Sequence, residues 1–175
     1  MKNFLEKDKS LGVDLMVGLL KYWPITCPAK EVVYINELEE IIEYIGVEAE
    51  KRFSDYGPKM INQLVRTAQN MHYQAAERAL LLLNNDLVQK VVKANLQKAY
   101  PLVVKGLINA NRGAQQHWNP QVNQITKQVL ISYNDLNREM FEKIQQNSQQ
   151  EETKKQQRER QMSSKWEMLE QRYAK

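Results

Sequence analysis

The chain has 175 residues, a formal net charge of +4 and a single cysteine, Cys27, which excludes an internal disulfide. It has no apolar run long enough to cross a membrane and no secretory pattern at its start, so we expect a soluble intracellular protein. Gly and Pro are scarce, long alternating Val/Ile/Thr runs are absent, and Leu, Gln, Lys, Glu and Ala are plentiful. This composition predicts an all-α protein, long enough for one domain or for several helical hairpins in a row.

The first predicted helix follows a polar lead-in over residues 1–9 and runs from Ser10, a suitable N-cap, to Trp23. We expect Trp23 in the interior, on the apolar side of this helix. Gly18 lowers helix propensity by about 1 kcal/mol relative to Ala, so either a neighbouring helix approaches closely there or the residue is there by chance. Pro24 ends the helix, because it lacks a backbone N–H and restricts the residue before it.

The second predicted helix runs from about Ala29 to Ile45, with Pro28 tolerated in its first turn and Gly46 as its end. Its apolar residues recur at spacings of three and four and form one stripe, whereas acidic residues occupy the opposite, solvated face. Together the two helices and the corner over residues 23–28 form a helical hairpin. The acidic face consists of Glu37, Glu39, Glu40 and Glu43.

This hairpin also carries a family resemblance. The run Gly18-Leu-Leu-Lys-Tyr-Trp-Pro24, followed by Lys30-Glu-Val32 and Asn36-Glu-Leu-Glu-Glu-Ile41, resembles the B-prime regulatory subunits of type 2A protein serine/threonine phosphatase. Later segments are similar to the same family in the same order: Gln74-Ala-Ala-Glu-Arg-Ala-Leu80 with Asn84-Asn85, His117-Trp118-Asn119, and a charged tail ending around Trp166. The resemblance runs from about Leu11 to the C-terminus and corresponds to the C-terminal part of much longer subunits.

The resemblance implies an all-α, HEAT-like helical-repeat solenoid built from antiparallel helix hairpins. It also implies a non-catalytic regulatory or targeting subunit that binds the scaffold and catalytic subunits of the phosphatase and modulates substrate selection. In the family, substrate peptides are understood to dock on repeats nearer the N-terminus, so we expect the peptide groove to be absent from this chain. The corner departs from the family pattern at Ile25, Cys27 and Pro28-Ala29, and Leu83 stands where an aromatic is usual.

The middle of the chain is predicted to continue the series of hairpins. After a short helical turn over residues 47–53 and a break at Gly57-Pro58, one helix ends near Asn70 and its partner begins around His72. That partner is apolar on most sides and should be buried, so its two charged residues need partners, which we expect inside the chain. They are Glu77 and Arg78, and the apolar residues are Ala75, Ala76, Ala79, Leu80, Leu82 and Leu83.

Further helices are predicted from Asn84-Asn85-Asp86 through Val92 and from Leu96 to Ala110, the latter bent or restarted at Pro101. Asn119-Pro120 is a strong start signal for a helix that reaches Gln146 with little interruption. Beyond it, a Gln/Glu/Lys/Arg-rich stretch is either a solvated helix or disordered. A final helix can dock through one face carrying Met162, Trp166, Leu169 and Tyr173.

Successive hairpins of roughly forty residues are typical of a HEAT-like solenoid. We therefore divide the chain into a flexible lead-in (residues 1–9), HEAT-like repeats (residues 10–146) and a polar, charged C-terminal helix or tail (residues 147–175).

No residue pattern typical of catalysis is present. His72 and His117 lie far apart and lack metal-ligand spacing, and the acidic helix has no Glu-x-x-His. Cys27 has no cation nearby in sequence to activate it, and there is no Gly-rich phosphate loop or nucleophile elbow. We predict that the protein is not an enzyme and has no catalytic, metal or cofactor site.

Two alternatives to the regulatory subunit remain open. A basic stretch motivates a nucleic-acid-binding helical array, but base-reading surfaces interleave stacking aromatics with basic residues, and only Tyr100 is available here. The other alternative is a truncated scaffold fragment without independent function. The basic stretch consists of Lys90, Lys93, Lys98, Lys105 and Arg112.

We place partner binding at the exposed turns between helices, because the helices of a solenoid use their apolar stripes against neighbouring repeats. The expected partners are the phosphatase scaffold and catalytic subunits, with no nucleic acid and no membrane, in the cytoplasm and also in the nucleus. The candidate partner-binding residues are Lys30, Glu37, Glu40, Glu43, Arg112, His117 and Trp118.

Overall fold

The structure is a computed structural model that describes residues 10–46, 51–112 and 116–173. Within these ranges the chain forms eight α-helices and no strand, which confirms the predicted all-α class. The helices are α1 (Ser10–Lys21), α2 (Pro28–Ile45), α3 (Phe53–Ala68), α4 (Tyr73–Leu83), α5 (Asp86–Ala94), α6 (Leu96–Ala110), α7 (Pro120–Leu136) and α8 (Arg138–Tyr173). The predicted lead-in over residues 1–9 and residues 47–50 of the predicted short turn lie outside the described residues.

The helices pack as consecutive hairpins in two layers. Three hairpins are formed by α1 with α2, α3 with α4, and α6 with α7. One layer is built from α1 on α3 and α3 on α6, and the other from α2 on α4 and α4 on α7. The short α5 packs mainly on α6, and α8 lies against α6 and α7. This stacking of helix pairs is the HEAT-like architecture that the sequence predicted.

The helix α4 lies at the centre of the stack. All six of its apolar residues predicted to be buried have no exposed surface, and four neighbouring helices contact it. The two charged residues of this helix are half-buried and have partners inside the chain, as expected. Gln121 donates a hydrogen bond to Glu77, and Arg78 donates to Asn36 and Glu39. These charges therefore link α4 to α7 and α2.

The helix α2 follows its predicted stripe closely. It begins at Pro28 and ends at Ile45, and the positive φ of 52° at Gly46 suits a glycine after a helix end. Trp23 lies in the corner, two residues after the end of α1, and is 8% exposed, which confirms its predicted place in the interior.

The predicted break at Gly57-Pro58 is wrong, because both residues lie inside α3. A Cβ atom on Gly57 would lie 2.1 Å from the Phe53 ring, so the glycine leaves room for that ring to fold back on the helix. Pro58 has no backbone N–H to donate to the Ser54 carbonyl oxygen, but Ser54 is exposed, so water can donate a hydrogen bond to that oxygen instead. Pro101 lies within the single helix α6, which does not restart there.

The helical stretch predicted from Pro120 to Gln146, with little interruption, is interrupted at one residue. α7 ends at Leu136, and Asn137 has extended backbone (φ −158°, ψ 89°) before α8 begins. The Asn137 side chain then accepts a hydrogen bond from the Met140 N–H at 2.9 Å and so caps α8. At the same junction the Tyr100 hydroxyl lies 2.6 Å from the Tyr133 carbonyl oxygen and 2.9 Å from that of Asn137.

The last helix, α8, has 36 residues and is about 54 Å long. Residues 147–161, whose composition fits either a solvated helix or disorder, are helical. Met162 and Trp166 are 60% and 62% exposed, so the described part of the chain does not bury them as a docked stripe would require. The side chains of Leu169 and Tyr173 lie outside the described residues.

The predicted division of the chain at residues 146/147 falls within α8 and stays a prediction. No helix in the described ranges combines the length and the apolarity that a membrane crossing requires.

Candidate partner-binding surface

Three turns between paired helices lie side by side at one end of the hairpins. They are residues 22–27 between α1 and α2, residues 69–72 between α3 and α4, and residues 111–119 between α6 and α7, of which residues 113–115 are outside the described ones. Hydrogen bonds join the first turn to the second and the second to the third. We call the described residues of these turns, together with Tyr73, the hairpin-end surface.

The first two turns are joined through a buried carboxylate, Glu31, which lies in the first turn of α2 and is 2% exposed. Its oxygens accept hydrogen bonds from the Trp23 indole N–H at 2.8 Å and from the Asn70 side-chain amide at 2.8 Å. The Thr67 hydroxyl lies 3.4 Å from the same carboxylate. A buried charge needs several donors, and the N-terminal turn of a helix also favours a negative charge. The carboxylate therefore fixes the corner of one hairpin to the end of the next.

The second and third turns are joined through His117. Its Nδ1 accepts a hydrogen bond from the Asn119 backbone N–H at 2.9 Å, so Nε2 carries the proton and donates to the Asn70 carbonyl oxygen at 2.8 Å. The Asn123 side chain accepts from the His117 backbone N–H and donates to its carbonyl oxygen. Asn119 also caps α7 by accepting from the Gln121 N–H at 2.9 Å. This histidine is thus held in one tautomer by the turns on both sides.

Trp118 lies across the neighbouring turn and is still 60% exposed. Its indole N–H donates to the Met71 carbonyl oxygen at 2.6 Å, and its ring meets the Tyr73 ring edge-on at a centroid distance of 6.3 Å. The ring is therefore fixed in orientation while most of it remains accessible. Such a rigid, partly exposed tryptophan has the properties of an interface anchor.

Other apolar side chains of this surface are also exposed. Ile25 in the first turn is 51% exposed, Met71 in the second is 76% exposed, and Tyr73 at the start of α4 is 39% exposed. Together with Trp118 they give a group of accessible apolar side chains spread over three turns. Exposed apolar groups arranged together are typical of protein-interaction sites.

The predicted site residues occupy two different regions. Arg112, His117 and Trp118 lie in the hairpin-end surface, and Lys30 is exposed in the first turn of α2 beside it. Arg112 is half-buried, and its Nη1 donates to the Ser148 carbonyl oxygen of α8 at 3.0 Å, so it already has an internal partner. Along α2, away from this surface, Glu37 is half-buried and both Glu40 and Glu43 are exposed. The binding roles of all seven residues stay predictions.

Two residues that hold the surface together, Glu31 and Asn70, were not among the predicted site residues. A signal for Glu31 was available, because a buried Trp23 needs an acceptor for its indole N–H and a glutamate follows it in the first turn of the next helix. No comparable signal marked Asn70, since its partners lie 39 and 47 residues away in sequence.

The structure bears on the nucleic-acid alternative through Tyr100. This residue has no exposed surface, so its ring cannot stack on a base. Two residues of the basic stretch have partners inside the chain, since Lys105 forms an ion pair with Glu151 and Arg112 donates a hydrogen bond to the Ser148 carbonyl oxygen of α8. In the ranges that the structure describes, no group of three or more His, Cys, Asp or Glu side chains is placed to hold a metal ion.

The two-layer stack of helix hairpins defines the chain as a helical-repeat protein, and the linked turns at one end of the hairpins carry accessible apolar side chains. The model of the family described as protein phosphatase 2A regulatory B subunit (B56 family) matches residues 1–173. The chain therefore belongs to the B56 family, as the resemblance in its sequence predicted.

Curated relatives come from plants and animals. The chain is 34% identical over 167 residues to the B' eta isoform of the 59 kDa regulatory subunit of serine/threonine protein phosphatase 2A from Arabidopsis thaliana, covering 95% of this chain and 32% of the relative. It is 30% identical over 167 residues to the alpha isoform of the human 56 kDa regulatory subunit, covering 95% and 33%. The rice 57 kDa B' kappa isoform is 34% identical over 138 residues, covering 79% and 26%. The chain thus spans about a third or less of the length of these relatives.

Proposed function

We propose that this chain is a non-catalytic regulatory or targeting unit of a type 2A protein serine/threonine phosphatase that binds the scaffold and catalytic subunits through the hairpin-end surface. Family membership supports the phosphatase as the partner, because the relatives' names describe them as regulatory subunits of protein phosphatase 2A. The geometry of the turns supports the place of contact. With this role we expect the chain in the cytoplasm and also in the nucleus.

The observation that carries the proposal is the combination of exposure and fixed orientation at Trp118. Its indole N–H is bound to Met71 and its ring packs edge-on against Tyr73, yet more than half of the side chain is accessible. An exposed ring that is already ordered loses little conformational entropy on binding, so its apolar area contributes more fully to affinity. Trp is also among the residues most enriched in interface hot spots.

The hydrogen bonds beneath the surface support a rigid binding site rather than three independent turns. Glu31 and Asn70 hold the first two turns together, and His117 holds the third against the second. A partner that meets all three turns therefore encounters one preformed shape. Such preorganisation favours slow dissociation, because little structure must be rebuilt on binding.

Charge near the surface supports a further contribution to association. Lys30 is exposed beside the corner, and the exposed Glu40 and Glu43 lie further along α2. Charges of this kind steer an approaching partner at low ionic strength, and physiological salt weakens their effect. We expect the apolar side chains to set the affinity and these charges to change mainly the association rate.

The experiment is a binding titration of the chain against purified scaffold–catalytic dimer, by biolayer interferometry at 0.15 M salt. Wild type is compared with Trp118→Ala and Met71→Ala, which remove exposed side chains of the surface. We expect Trp118→Ala to raise Kd by about 30-fold or more, as for a hot-spot residue costing 2 kcal/mol or more, and Met71→Ala to raise it less.

The matched control is Ile131→Ala, which removes a side chain that is 61% exposed on α7, outside the hairpin-end surface. It should bind as wild type does. Failure of wild type to bind the dimer would contradict the proposed partner. Binding that Trp118→Ala and Met71→Ala leave unchanged would instead contradict the proposed surface.

A further inference from the structure

The C-terminal half of α8 continues beyond its contacts with the stack as a helix that is exposed on all sides. Side chains of α6 bind α8 at Ser148 and Glu151. Every residue of the following stretch, residues 153–168, is exposed. Residues 145–161 include no apolar side chain, so this part of the helix has no stripe that a further repeat could bury. Its exposure therefore follows from its composition.

Two arginines precede a serine in this exposed stretch at a spacing that protein kinases recognise. The run is Arg158-Glu-Arg160-Gln-Met-Ser163, which places arginines three and five residues before Ser163. No other serine or threonine of the sequence has an arginine three residues before it. Kinases that select basic substrates bind such arginines with carboxylates near the active site, and arginine–carboxylate pairs are strong because they are charge-assisted and bidentate. The pattern therefore indicates a substrate of an arginine-directed Ser/Thr kinase.

The side chains that a kinase would contact are available. Ser163, Arg158 and Arg160 are all exposed. Within the described residues, no hydrogen bond holds the Ser163 hydroxyl and no ion pair holds either arginine. The neighbouring Ser164, by contrast, donates a hydrogen bond to the Gln161 carbonyl oxygen at 3.3 Å. No side-chain contact has to be broken before Ser163 and its two arginines reach a kinase.

The helix around Ser163 can open at small cost. The acceptor hydroxyl must reach the γ-phosphate of ATP in line with the bond that breaks, so this part of α8 must unwind in the kinase. Isolated helices are marginally stable in water, and helix ends without tertiary contacts open with free energies close to zero. Because residues 153–168 are exposed, unwinding them breaks backbone hydrogen bonds but uncovers no packed apolar side chain.

Ser54 provides an internal comparison. It is also exposed and also follows basic residues, with Lys51 and Arg52 three and two positions before it. Packing holds its segment, however, because Arg52 forms ion pairs with two aspartates and unwinding would uncover the buried rings of Phe53 and Tyr56. A basic sequence alone therefore does not make a kinase substrate, and the absence of packing distinguishes Ser163 from Ser54.

We propose that Ser163 is a phosphorylation site for a Ser/Thr kinase that recognises arginine at the third and fifth positions before the acceptor. Ser163 Oγ attacks the γ-phosphorus of Mg²⁺-bound ATP; the Oγ–P bond forms, the bond from the γ-phosphorus to the bridging oxygen breaks, and ADP leaves. The hydroxyl proton passes to the catalytic aspartate of the kinase. Residues 154–165 carry five Lys or Arg against one Glu. A phosphoserine of charge about −1.5 to −2 thus cancels about half of their net positive charge.

The test incubates the purified 175-residue chain with Mg²⁺, ATP and the catalytic domain of a kinase that requires arginine at both positions. Mass spectrometry should find one phosphoryl group per chain, on Ser163. Ser163→Ala should abolish its incorporation, whereas the matched control Ser164→Ala should be phosphorylated as wild type is. Ser54 should take up far less phosphate than Ser163 in the same reaction, because its segment is packed.

The arginines test recognition separately from folding. Arg158→Gln and Arg160→Gln each remove one charge-assisted pair with the kinase, so each should lower kcat/KM by about tenfold or more. Both side chains are exposed, so the unfolding midpoint should not change. The matched control Arg138→Gln, at an exposed arginine in the first turn of α8, should leave kcat/KM unchanged. A wild-type chain that takes up no phosphate, phosphate that persists in Ser163→Ala, or a kcat/KM that neither variant lowers would overturn the proposal.

Discussion

Glu31 offers the sharpest test of how the hairpin ends are joined. Replacing it with alanine removes the acceptor of two hydrogen bonds of 2.8 Å, one from the Trp23 indole and one from the Asn70 amide. Hydrogen bonds to a charged group contribute about 1.5–3 kcal/mol each, so the free energy of unfolding should fall by about 3–6 kcal/mol. The Thr67 hydroxyl at 3.4 Å is too distant to add much.

The assay is urea unfolding followed by far-UV circular dichroism at pH 7, with Glu43→Ala as the matched control. Glu43 lies on the exposed side of the same helix, so its replacement should change the free energy of unfolding by less than about 0.5 kcal/mol. Trp23→Phe keeps an aromatic ring but removes the indole N–H, and combining it with Glu31→Ala should give a loss clearly smaller than the sum of the two single losses. A loss below about 1 kcal/mol for Glu31→Ala, or fully additive losses, would refute the reasoning.

Three further predictions concern stability. Trp23→Ala should lower the free energy of unfolding by about 3–5 kcal/mol because the ring is buried, and an unchanged urea midpoint would mean that the ring contributes little. Burial raises the pKa of Tyr100 from 10.0 to about 12, so between these pH values the folded chain keeps a proton that the unfolded chain releases. The free energy of unfolding should therefore fall as pH rises from 10 to about 12, and urea midpoints measured against pH should fall less steeply in Tyr100→Phe. Gly18→Ala should raise the free energy of unfolding by about 0.5–1 kcal/mol, because Ala favours the helix and its Cβ atom would meet nothing within 4 Å. Gly106→Ala should lower the free energy of unfolding by about 1–3 kcal/mol, because its Cβ atom would lie 2.4 Å from Val65; equal effects in urea unfolding would contradict both packing arguments.

The helices could be predicted where apolar spacing and local start and stop signals agree. α2 follows its stripe from Pro28 to Ile45 and stops before Gly46, and α7 begins at the Asn119-Pro120 signal. In both cases the local signal and the packed environment favour the same boundary. The reason is that capping and helix propensity act over a few residues, all of which the sequence shows directly.

The differences from the predicted helices arose where tertiary contacts outweigh local signals. Gly57-Pro58 predicts a break, but the ring of Phe53 packs over the glycine and α3 continues. Asn137 ends α7 and caps α8 within an otherwise continuous apolar pattern, next to a hydroxyl supplied by Tyr100 from 37 residues away. Interactions between residues so distant in sequence cannot be read from spacing alone.

The candidate surface was predictable only in part. Because helices of a solenoid use their apolar stripes internally, the turns are the natural place for a partner, and Trp118 stood out as a large aromatic in a polar turn. The link from Glu31 through Asn70 to His117 spans three hairpins, so it becomes visible only in the folded chain. That link makes three separate turns into one surface.

The most direct test of the account is hydrogen–deuterium exchange of the chain with and without the phosphatase scaffold–catalytic dimer. Binding should slow exchange at residues 22–27, 69–73 and 116–119 together, because the account treats these turns as one surface. Exchange across residues 154–168 of α8, which are exposed and lie outside that surface, should not change. Protection confined to α8, or no protection at any of the three turns in a chain that does bind the dimer, would contradict the central claim.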